Sequence, residues 1–409
     1  MMKQIYLDHA STTPVRPEVL EAMLPYFTEE FGNPSSIYSL GQTASDAITT
    51  ARETLATTIG ATATEIFFTS GGTEADNWAI KGFAHANAAK GKHLITSSIE
   101  HHAVLHACEA LEREGFEVTY LPVDEHGLLR PEDLKAALRP DTILVSLMFA
   151  NNEIGTIQPI GDLAAIAHEG GAVFHTDAVQ AFCHEPIKVN ELGIDLLSAS
   201  AHKIYGPKGV GMLYVRTGVK LRNLLNGGQQ ERGKRATTEN VPGIVGFAKA
   251  AALAAADATL EHDRQQTLRD HAIRRVLAEI PHAKLNGSWK NRLANNVNFS
   301  FEFIEGEGML LQLAARGICV SSGSACTSGS LDPSHVLLAI GLPHEIAHGS
   351  LRLTIGRSTT LEEVDFAIDS LETTLENLRM MSPLYEDFQQ GKVDSVIKQY
   401  AADGFPYTN

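Results

Sequence analysis

The chain has 409 residues, of which 44% are hydrophobic and 20% are charged, and its formal net charge is -16. This composition is typical of a globular protein, and the length favours two domains over one core. The negative charge argues against nucleic acid or an anionic membrane as a direct partner. Because no apolar run approaches the roughly 20 residues that cross a bilayer and the N-terminus lacks a signal-peptide core, we expect a cytoplasmic protein without a membrane partner.

Four cysteines occur: Cys108, Cys183, Cys319 and Cys326. They form no CxxC pair and are too few for a disulfide framework in a chain of this length. An important cysteine is therefore expected to be a reactive thiol. We expect Cys108, Cys183 and Cys319 to be packing residues.

Short apolar strands and amphipathic helices alternate through the first 215 residues. An extended segment up to Pro14 comes first, with helices after Pro17 and over 45–59. Strands are predicted at 65–70, 93–97, 118–121, 142–149, 172–176, 196–200 and 211–215, and further helices at 103–114, 131–138 and 160–168. Short apolar strands between helices indicate a mostly parallel sheet covered on both faces.

A glycine-rich turn, Gly71-Gly-Thr-Glu-Ala75, joins the strand at 65–70 to a helix. A strand, a glycine turn and a helix N-terminus together present free backbone N–H groups to an anion, and Thr73 adds a hydroxyl. The turn lacks the Walker A lysine and is not GxGxxG. It therefore predicts a phosphate site without a nucleotide fingerprint, and a plain βα turn is the alternative.

Polar residues follow four of the predicted strands, where active sites of parallel sheets form. They are Glu100-His101-His102, Asn151-Asn152-Glu153, Asp177 with Gln180, and His202-Lys203. Lys203 stands between small residues and a Gly/Pro turn, which suits an amine held in a pocket for Schiff-base chemistry. The alternative is a surface lysine beside a turn.

The C-terminal part begins with a long alanine-rich helix predicted over 244–280, a plausible connector to a second domain. A strand at 295–303, a helix at 307–316 and a strand at 351–355 follow. Between them, residues 321–330 form a loop of small residues around Cys326. Thr360 and Glu363 form a capping box for a last helix, and the tail after Ser382 is weakly patterned.

Together these sites fit one cofactor, pyridoxal 5'-phosphate (PLP). Lys203 could hold its aldehyde, Asp177 could pair with its pyridinium N–H, and Thr73 with the helix behind it could bind its phosphate. His101 could stack on the ring or move protons. Each site alone is ambiguous, so the prediction depends on their combination.

The chain resembles the cysteine desulfurases of the class V aminotransferase superfamily. The matching stretches follow in the family's order along nearly the whole chain: Tyr6-Leu-Asp-His-Ala10, Phe31-Gly-Asn-Pro-Ser-Ser36, Phe68-Thr-Ser-Gly-Gly-Thr-Glu74, Ile99-Glu-His-His-Ala-Val104, Asn151-Asn-Glu-Ile-Gly155, His175-Thr-Asp-Ala-Val-Gln180, Ser200-Ala-His-Lys203, Asn240-Val-Pro-Gly-Ile-Val-Gly246, Ser321-Ser-Gly-Ser-Ala-Cys326 and Leu351-Arg-Leu-Thr-Ile-Gly-Arg357.

The resemblance implies an α/β fold of the fold-type I PLP-dependent transferases and a homodimer. The implied large domain spans 15–255 and binds PLP through a mostly parallel sheet. The implied small α+β domain combines 1–14 with 256–409 and carries the cysteine loop.

The resemblance also assigns site residues. Lys203 is linked to the cofactor, His101 stacks on its ring and Asp177 holds its nitrogen. The remaining cofactor contacts are Gln180 and Asn152 at the ring substituents, and Gly72, Thr73, Ser200, His202 and Thr238 of the partner subunit at the phosphate. Arg352 clamps the substrate carboxylate, with Asn33 nearby.

One position departs from the family pattern. Thr237 stands where the family usually has glycine, so a positive φ there would strain it. Whether Thr237 or Thr238 reaches the partner's phosphate is therefore open.

Cys326 carries the distinctive chemistry of the family. The resemblance implies that its thiolate attacks the sulfur of L-cysteine, which leaves a persulfide on Cys326 and releases alanine. A loop of small residues suits a carrier that visits the cofactor and then an acceptor. The loop resembles the long-loop NifS/IscS-like subclass, whose acceptors are iron–sulfur scaffolds or tRNA-thiolation enzymes.

Three alternatives remain at this stage. His102 and His106 are spaced like a metal pair, but no further ligand completes a set and no resident metal is expected; transient ligation of an iron–sulfur cluster by Cys326 is left open. A selenocysteine lyase or an aminotransferase could use the same fold. A non-enzymatic scaffold subunit would lack the yellow colour of bound PLP.

Overall fold

A computed structural model describes residues 4–322 and 333–397 of the chain. Its strands in chain order are β1 (Ile5–Tyr6), β2 (Ile66–Thr69), β3 (His93–Ser97), β4 (Glu117–Leu121), β5 (Thr142–Ser146), β6 (Val173–Asp177), β7 (Leu196–Ser200), β8 (Gly211–Val215), β9 (Ala283–Leu285), β10 (Asn296–Phe301), β11 (Ile318–Cys319) and β12 (Ser350–Thr354). Its helices are α1 (Pro17–Met23), α2 (Pro25–Thr28), α3 (Ser39–Ile59), α4 (Gly72–Asn77), α5 (Phe83–Asn87), α6 (His102–Arg113), α7 (Pro131–Ala137), α8 (Ile160–Glu169), α9 (Gln230–Gly233), α10 (Val241–Glu279), α11 (Gly306–Ala315), α12 (His335–Ala339), α13 (His344–His348), α14 (Leu361–Met380) and α15 (Pro383–Gln389).

The main sheet has seven strands in the order β2-β8-β7-β6-β5-β3-β4. All neighbouring pairs are parallel except those of β8, which runs antiparallel to both β2 and β7. Every residue of β5, β7 and β8 is buried. Strands covered on both faces are continuously apolar rather than alternating, so the predicted mostly parallel α/β sheet is confirmed.

Helices cover both faces of this sheet. On one face Ile48 and Leu55 of α3 and Phe247 of α10 pack with Phe174 of β6. On the other face the helices α4 to α6 bring Trp78 and neighbouring apolar residues against the sheet. The two apolar layers hold the carboxyl ends of the parallel strands in fixed relative positions.

A second core surrounds the smaller sheets. Strands β12, β10 and β9 form an antiparallel sheet, and β1 pairs in parallel with β11. Phe299 and Leu351 from this sheet pack with Ile368 of α14 and with Ile5 of β1. The N-terminal strand thus shares a core with the C-terminal part of the chain, while the boundaries 15–255 and 256–409 stay a prediction.

Helix α10 has 39 residues and contributes to both cores. Ile244 and Phe247 belong to the core of the main sheet, and Ile273 and Val276 to the second core. Contrary to the sequence-based expectation, α10 is long and apolar enough in one window to cross a membrane by length and composition. This is weak evidence for a span, because the core helix of a globular protein passes the same test.

Most predicted elements differ from the structure only at their ends. The strand predicted over 142–149 ends at Ser146, although the backbone N–H groups of Leu147 and Phe149 still donate to His175 and Asp177 of β6. The capping box of Thr360 and Glu363 is present at the start of α14. Short helices α12, α13 and α15 were not predicted, since fewer than two turns leave no detectable periodicity.

Candidate active site

A cavity of about 510 Å³ opens where the parallel strands of the main sheet end. Sixteen side chains and backbone segments line it: Ala10, Ser11, Gly72, Thr73, Asp76, His101, Met148, Ala150, Asn152, Asp177, Val179, Gln180, Ser200, His202, Lys203 and Arg352. Ten of these sixteen are residues that the sequence predicts for cofactor or substrate. The cavity therefore joins segments that are hundreds of residues apart in sequence.

Lys203 lies at the end of a single helical turn, Ala201–Lys203, directly after β7. Its Nζ donates a hydrogen bond to the backbone oxygen of Ser11 at 2.9 Å and another to that of Ala10. The amine is thus held at the wall of the cavity by the N-terminal segment. A lysine in this position is available to an aldehyde that enters the cavity.

Asp177 is the last residue of β6 and is buried. Its Oδ1 accepts a hydrogen bond from the backbone N–H of Val179 at 2.9 Å. Burial raises the pKa of Asp177, while the Val179 N–H and the charge of Lys203 act in the opposite direction. A carboxylate in this setting is suited to bind a protonated ring nitrogen.

The opposite end of the cavity is rich in hydroxyls and backbone donors. Gly72 and Thr73 begin α4, Ser200 is the last residue of β7, and His202 lies in the helical turn that follows β7. A Cβ on Gly72 would lie 2.6 Å from Cγ2 of Val179, so a larger residue there would have to displace the Val179 side chain. Burial and the charge of Lys203 lower the pKa of His202 to about 4, so its ring is neutral at pH 7.

His101 caps the N-terminus of α6, because its Nδ1 accepts the backbone N–H of Ala103 at 3.1 Å. Burial, and then the charge of Lys203, lower the pKa of His101 to about 4. The ring is therefore neutral at pH 7. Since Nδ1 is an acceptor, the proton of the neutral ring lies on Nε2.

Two amide residues complete the walls beside Lys203. Gln180 donates from Nε2 to the backbone oxygen of Ala10 at 3.0 Å. The backbone oxygen of Asn152 accepts a hydrogen bond from Arg352 Nη1 at 2.9 Å. The N-terminal segment around Ala10 therefore contacts both Lys203 and Gln180, which explains why it closes one side of the cavity.

Arg352, in the middle of β12, brings a buried cation from the second core to the cavity. Its Nη2 donates to Asp8 Oδ1 at 2.8 Å and to Ser11 Oγ at 2.9 Å. Its Nε has no hydrogen-bond partner in the part of the chain that the structure describes. A buried guanidinium with an unused donor fits the carboxylate of an amino acid.

Three predicted site residues are not among those that line the cavity. Asn33 is exposed and its side chain accepts the backbone N–H of Ser35. Thr238 is exposed on the surface, where the expectation of a contact across a dimer interface is not tested. Cys326 lies outside the described residues.

The residues flanking that undescribed segment are anchored beside the cavity. Ser321 pairs with the backbone of Arg352, and Ser350 Oγ donates to the backbone oxygen of Ser322 at 3.0 Å. On the other side, Ser334 Oγ donates to the buried carboxylate of Glu153, the residue after Asn152. Both flanks of the segment that contains Cys326 are therefore fixed near the site.

Thr237 adopts a φ of +105°, a backbone conformation that favours glycine. This is the position where the family usually has glycine. The nearby Arg235 forms a bidentate ion pair with Glu74 of α4, at 2.8 and 2.9 Å. The strained turn is thereby tied to the same helix that begins with Gly72 and Thr73.

Several cavity residues were not predicted. Asp76 lies one helical turn after Gly72, and this i, i+4 relation is the signal that could have found it. Ala10 and Ser11 lie in a stretch that was assigned only as extended. Outside the cavity, the ring of His102 stacks with that of His106 and lies tilted against that of His335, and no group of His, Cys, Asp and Glu within 4–322 and 333–397 is arranged to hold a metal.

The donor set fits PLP bearing an amino acid. Lys203 would take the aldehyde, Asp177 the ring nitrogen, and the Gly72–Thr73 turn with Ser200 the phosphate. The unused Nε of Arg352 would take the amino-acid carboxylate. Each requirement is met by different residues that line one cavity, and no two requirements compete for the same side chain.

Comparisons with known proteins agree with this geometry. The family model described as aminotransferase class-V matches residues 5–366. The cysteine desulfurase IscS of Clostridium botulinum (strain Hall) is 57% identical over 394 residues, which are 96% of this chain and 99% of that relative. A solved NifS-like protein has a TM-score of 0.86 at 38% identity and covers 92% of this chain and 100% of its own. The structure of SspA in complex with cysteine has a TM-score of 0.77 at 40% identity and covers 86% and 99%.

Proposed function

The chain belongs to the aminotransferase class-V family, and from this we propose that it is a PLP-dependent cysteine desulfurase. It would convert L-cysteine to L-alanine and keep the sulfur on Cys326 as a persulfide. The observation that carries the proposal is the cavity in which Lys203, Asp177, His101 and Arg352 meet. This combination meets the needs of PLP and of an α-amino acid at once.

The bound cofactor would hold the amine of L-cysteine and withdraw electrons from its Cα, which weakens the Cα–H and Cβ–S bonds. Asp177 would keep the ring nitrogen protonated, because the negative charge of its buried carboxylate would stabilise a pyridinium N–H. His101, protonated on Nε2, would stack on the ring and offer a hydrogen-bond donor. Lys203 Nζ is the amine available to accept and return the Cα proton.

Arg352 would fix the orientation of the substrate. Hydrogen bonds to Asp8, Ser11 and the backbone of Asn152 fix the position of its guanidinium, so it would bind the substrate carboxylate in only one place. With its carboxylate held by Arg352 and its amine held by the cofactor, the substrate would be fixed at two points, which restricts the direction of its Cβ–S bond. This is the entropic advantage of a preorganised site.

The sulfur transfer would use Cys326. Its thiolate attacks the sulfur of L-cysteine and the Cβ–S bond breaks. The electron pair of that bond stays on the three-carbon fragment, which takes up a proton and leaves as L-alanine. Cys326 then carries one additional sulfur atom as a persulfide, and the overall reaction needs no external oxidant or reductant.

We propose that the chain forms a homodimer, and exposed apolar surface on the single chain supports this. Large apolar side chains are exposed within one stretch of the N-terminal part: Leu20, Leu24, Phe27, Phe31, Ile37 and Tyr38. Ile37 alone is 92% exposed. A second copy that covers this stretch would remove apolar surface from water and bring Thr238 of the partner subunit within reach of a phosphate site.

The persulfide would be passed to an acceptor protein in the cytoplasm. An iron–sulfur scaffold and a tRNA-thiolation enzyme are the two candidate acceptor classes. The net charge of -16 argues that the enzyme contacts a protein acceptor rather than a nucleic acid directly. The domain assignment 15–255 for PLP binding, with 1–14 and 256–409 as the small domain, belongs to the same proposal.

The test of this function uses the purified protein and L-cysteine. The protein should be yellow, and reduction with borohydride should attach the cofactor covalently to Lys203, as identified by peptide mass. L-Alanine should form, and Lys203→Ala should abolish both the attachment and the alanine. A colourless protein that does not bind added PLP would refute the proposal.

A further inference from the structure

Asp76 is a buried acid in the cavity to which neither the sequence nor the proposed reaction assigns a role. It lies on α4 with 1% of its surface exposed, and it lines the same cavity as Asp177 and Lys203. A buried carboxyl group is costly unless it is paired or protonated. Its partners therefore decide which of the two applies.

The two carboxyl oxygens of Asp76 have few partners. The side chain forms a hydrogen bond with Ser198, and Oδ1 has no hydrogen-bond partner among the residues that the structure describes. Nε2 of His175 lies 3.7 Å from this Oδ1, beyond hydrogen-bonding distance. One hydrogen bond from a hydroxyl is poor compensation for a buried negative charge.

His175 does not supply a compensating positive charge. Its Nδ1 lies 2.8 Å from Ser146 Oγ and its Nε2 lies 3.1 Å from Ser198 Oγ, so both ring nitrogens are occupied by hydroxyls. Burial lowers the pKa of His175 to about 3. The ring is therefore neutral at pH 7, and the nearest imidazole cannot form an ion pair with Asp76.

Asp177 has the partners that Asp76 lacks. The backbone N–H of Val179 donates to its Oδ1, and the charge of Lys203 stabilises its ionised form. Glu100, on the segment before α6, is a further buried acid that acts on Asp76, but burial raises its pKa to about 8, so it is neutral at pH 7 and adds no negative charge. Of the two aspartates, Asp177 is therefore the better site for the charge.

We propose that Asp76 and Asp177 form a carboxyl pair at the floor of the cavity, in which Asp177 carries the negative charge and Asp76 carries the proton. Two carboxyl groups in one buried site cannot both ionise at low cost. In agreement, burial and then the charge of Asp177 raise the pKa of Asp76 well above its usual range.

The pair has a consequence for the cofactor, and this step depends on the proposed function. One protonated ring nitrogen would face one negative charge, because the second carboxyl group is neutral. Asp76 is then a positioning residue that acts through Asp177, because its bound proton keeps the total charge of the carboxyl pair at one negative charge. Replacement by an isosteric neutral amide should preserve this balance.

Infrared difference spectroscopy of the full-length protein as purified, at pH 7, tests the pair directly. The spectrum of wild type minus Asp76→Asn should show the carbonyl stretch of a protonated carboxylic acid. The matched control Asp46→Asn, an exposed aspartate on α3, should show only carboxylate bands. Loss of carboxylate bands in Asp76→Asn would overturn the proposal, because Asp76 would then be ionised.

The pH dependence of the cofactor's visible absorbance gives a second readout. Asp76→Asn should leave the apparent pKa of the bound cofactor unchanged and the PLP affinity within about twofold of wild type. Asp177→Asn should weaken PLP binding by roughly tenfold or more. If the apparent pKa of the cofactor falls by about one unit or more in Asp76→Asn, the substitution has removed a negative charge. This result would contradict a protonated Asp76.

Two outcomes separate this inference from the proposed function. If the protein binds no PLP but the infrared band is present, the proposed function fails and the pair stands. If Asp76→Asn does not fold, carboxyl ¹³C NMR of the labelled wild-type protein replaces the variant. An aspartate carboxyl that stays protonated at pH 7 supports the pair, and ionisation of every aspartate overturns it.

Discussion

Within residues 4–322 and 333–397, Arg352 has two N–H groups left for an incoming carboxylate. Of the five donors of a guanidinium, one is used by the backbone of Asn152, one by Asp8 and one by Ser11. The Nε–H is buried and has no partner in the described ranges. A substrate carboxylate would satisfy it, and this defines what a substitution at this position removes.

Arg352→Lys keeps the positive charge but loses the fork of donors. A lysine ammonium group is a compact charge with three donors, and Asp8 and the backbone of Asn152 compete for them. At least one charge-assisted hydrogen bond to the substrate is then lost, which is worth about 1.5–3 kcal/mol. Binding of an amino acid should therefore weaken by about 10- to 100-fold.

The assay is equilibrium binding of L-alanine, the expected product, followed through the visible absorbance of the bound cofactor. Ethylamine, which lacks the carboxylate, should bind Arg352→Lys as it binds wild type. Arg357→Lys is the matched control, because Arg357 pairs with Asp257 outside the cavity. The role of Arg352 is refuted if Arg352→Lys binds L-alanine within about twofold of wild type. It is also refuted if the substitution weakens the binding of ethylamine as much as the binding of L-alanine.

Three further predictions concern stability and assembly. Burial raises the pKa of Glu100 from an ordinary 4.5 to about 8, so the folded protein keeps this group protonated where the unfolded chain ionises it. The stability from this group is fully present below pH 4.5 and is lost as pH rises to 8, by up to about 5 kcal/mol. In urea unfolding, Glu100→Gln should therefore gain stability relative to wild type between pH 5 and pH 8, and a constant difference would contradict this. Thr237→Gly should relieve the strain at φ +105° and stabilise the protein by about 1 kcal/mol, whereas Thr237→Ala, which keeps a Cβ, should gain nothing; a loss of stability in Thr237→Gly would show that the turn is unstrained. Leu24→Asp should shift the protein towards monomer in analytical ultracentrifugation, and Leu361→Asp, a similarly exposed leucine on α14, should not; equal dimer in both variants would exclude the apolar stretch as the interface.

The strands of the main sheet could be predicted because each buried strand is visible in the local sequence. β3, β7 and β8 have the predicted bounds, since each is a short apolar run between polar turns. The ends of parallel strands meet at one edge, so polar residues that follow them were expected to meet too. His101, Asp177 and Lys203 do so in one cavity.

Other features depended on tertiary contacts that no local pattern carries. The N-terminal segment closes the cavity because Lys203 and Gln180 bind its backbone oxygens. The i, i+4 relation to Gly72 places Asp76 on the same side of α4, but its proximity to Asp177 appears only when α4 is packed on β7 and β8. Its place beside Asp177 is set by the packing of α4 on the sheet, which sequence periodicity does not specify.

The sequence left the φ of Thr237 open and led us to expect strain only if that φ is positive. The residue stands where the family has glycine, and its φ is positive. The sequence alone did not determine the sign of φ at this position. Threonine rarely adopts positive values, whereas the glycine of the family would allow them. In the structure, Thr237 lies in a turn that the ion pair between Arg235 and Glu74 holds against α4.

Sulfur transfer to Cys326 is the central claim, and one measurement tests it most directly. The yellow wild-type protein and Cys326→Ala are each given one equivalent of L-cysteine, and L-alanine and protein-bound persulfide are measured together. Wild type should release alanine in equal amount to the persulfide on Cys326, and Cys326→Ala should form neither. Equal alanine from both proteins would contradict the account, because the sulfur would then leave without passing through Cys326.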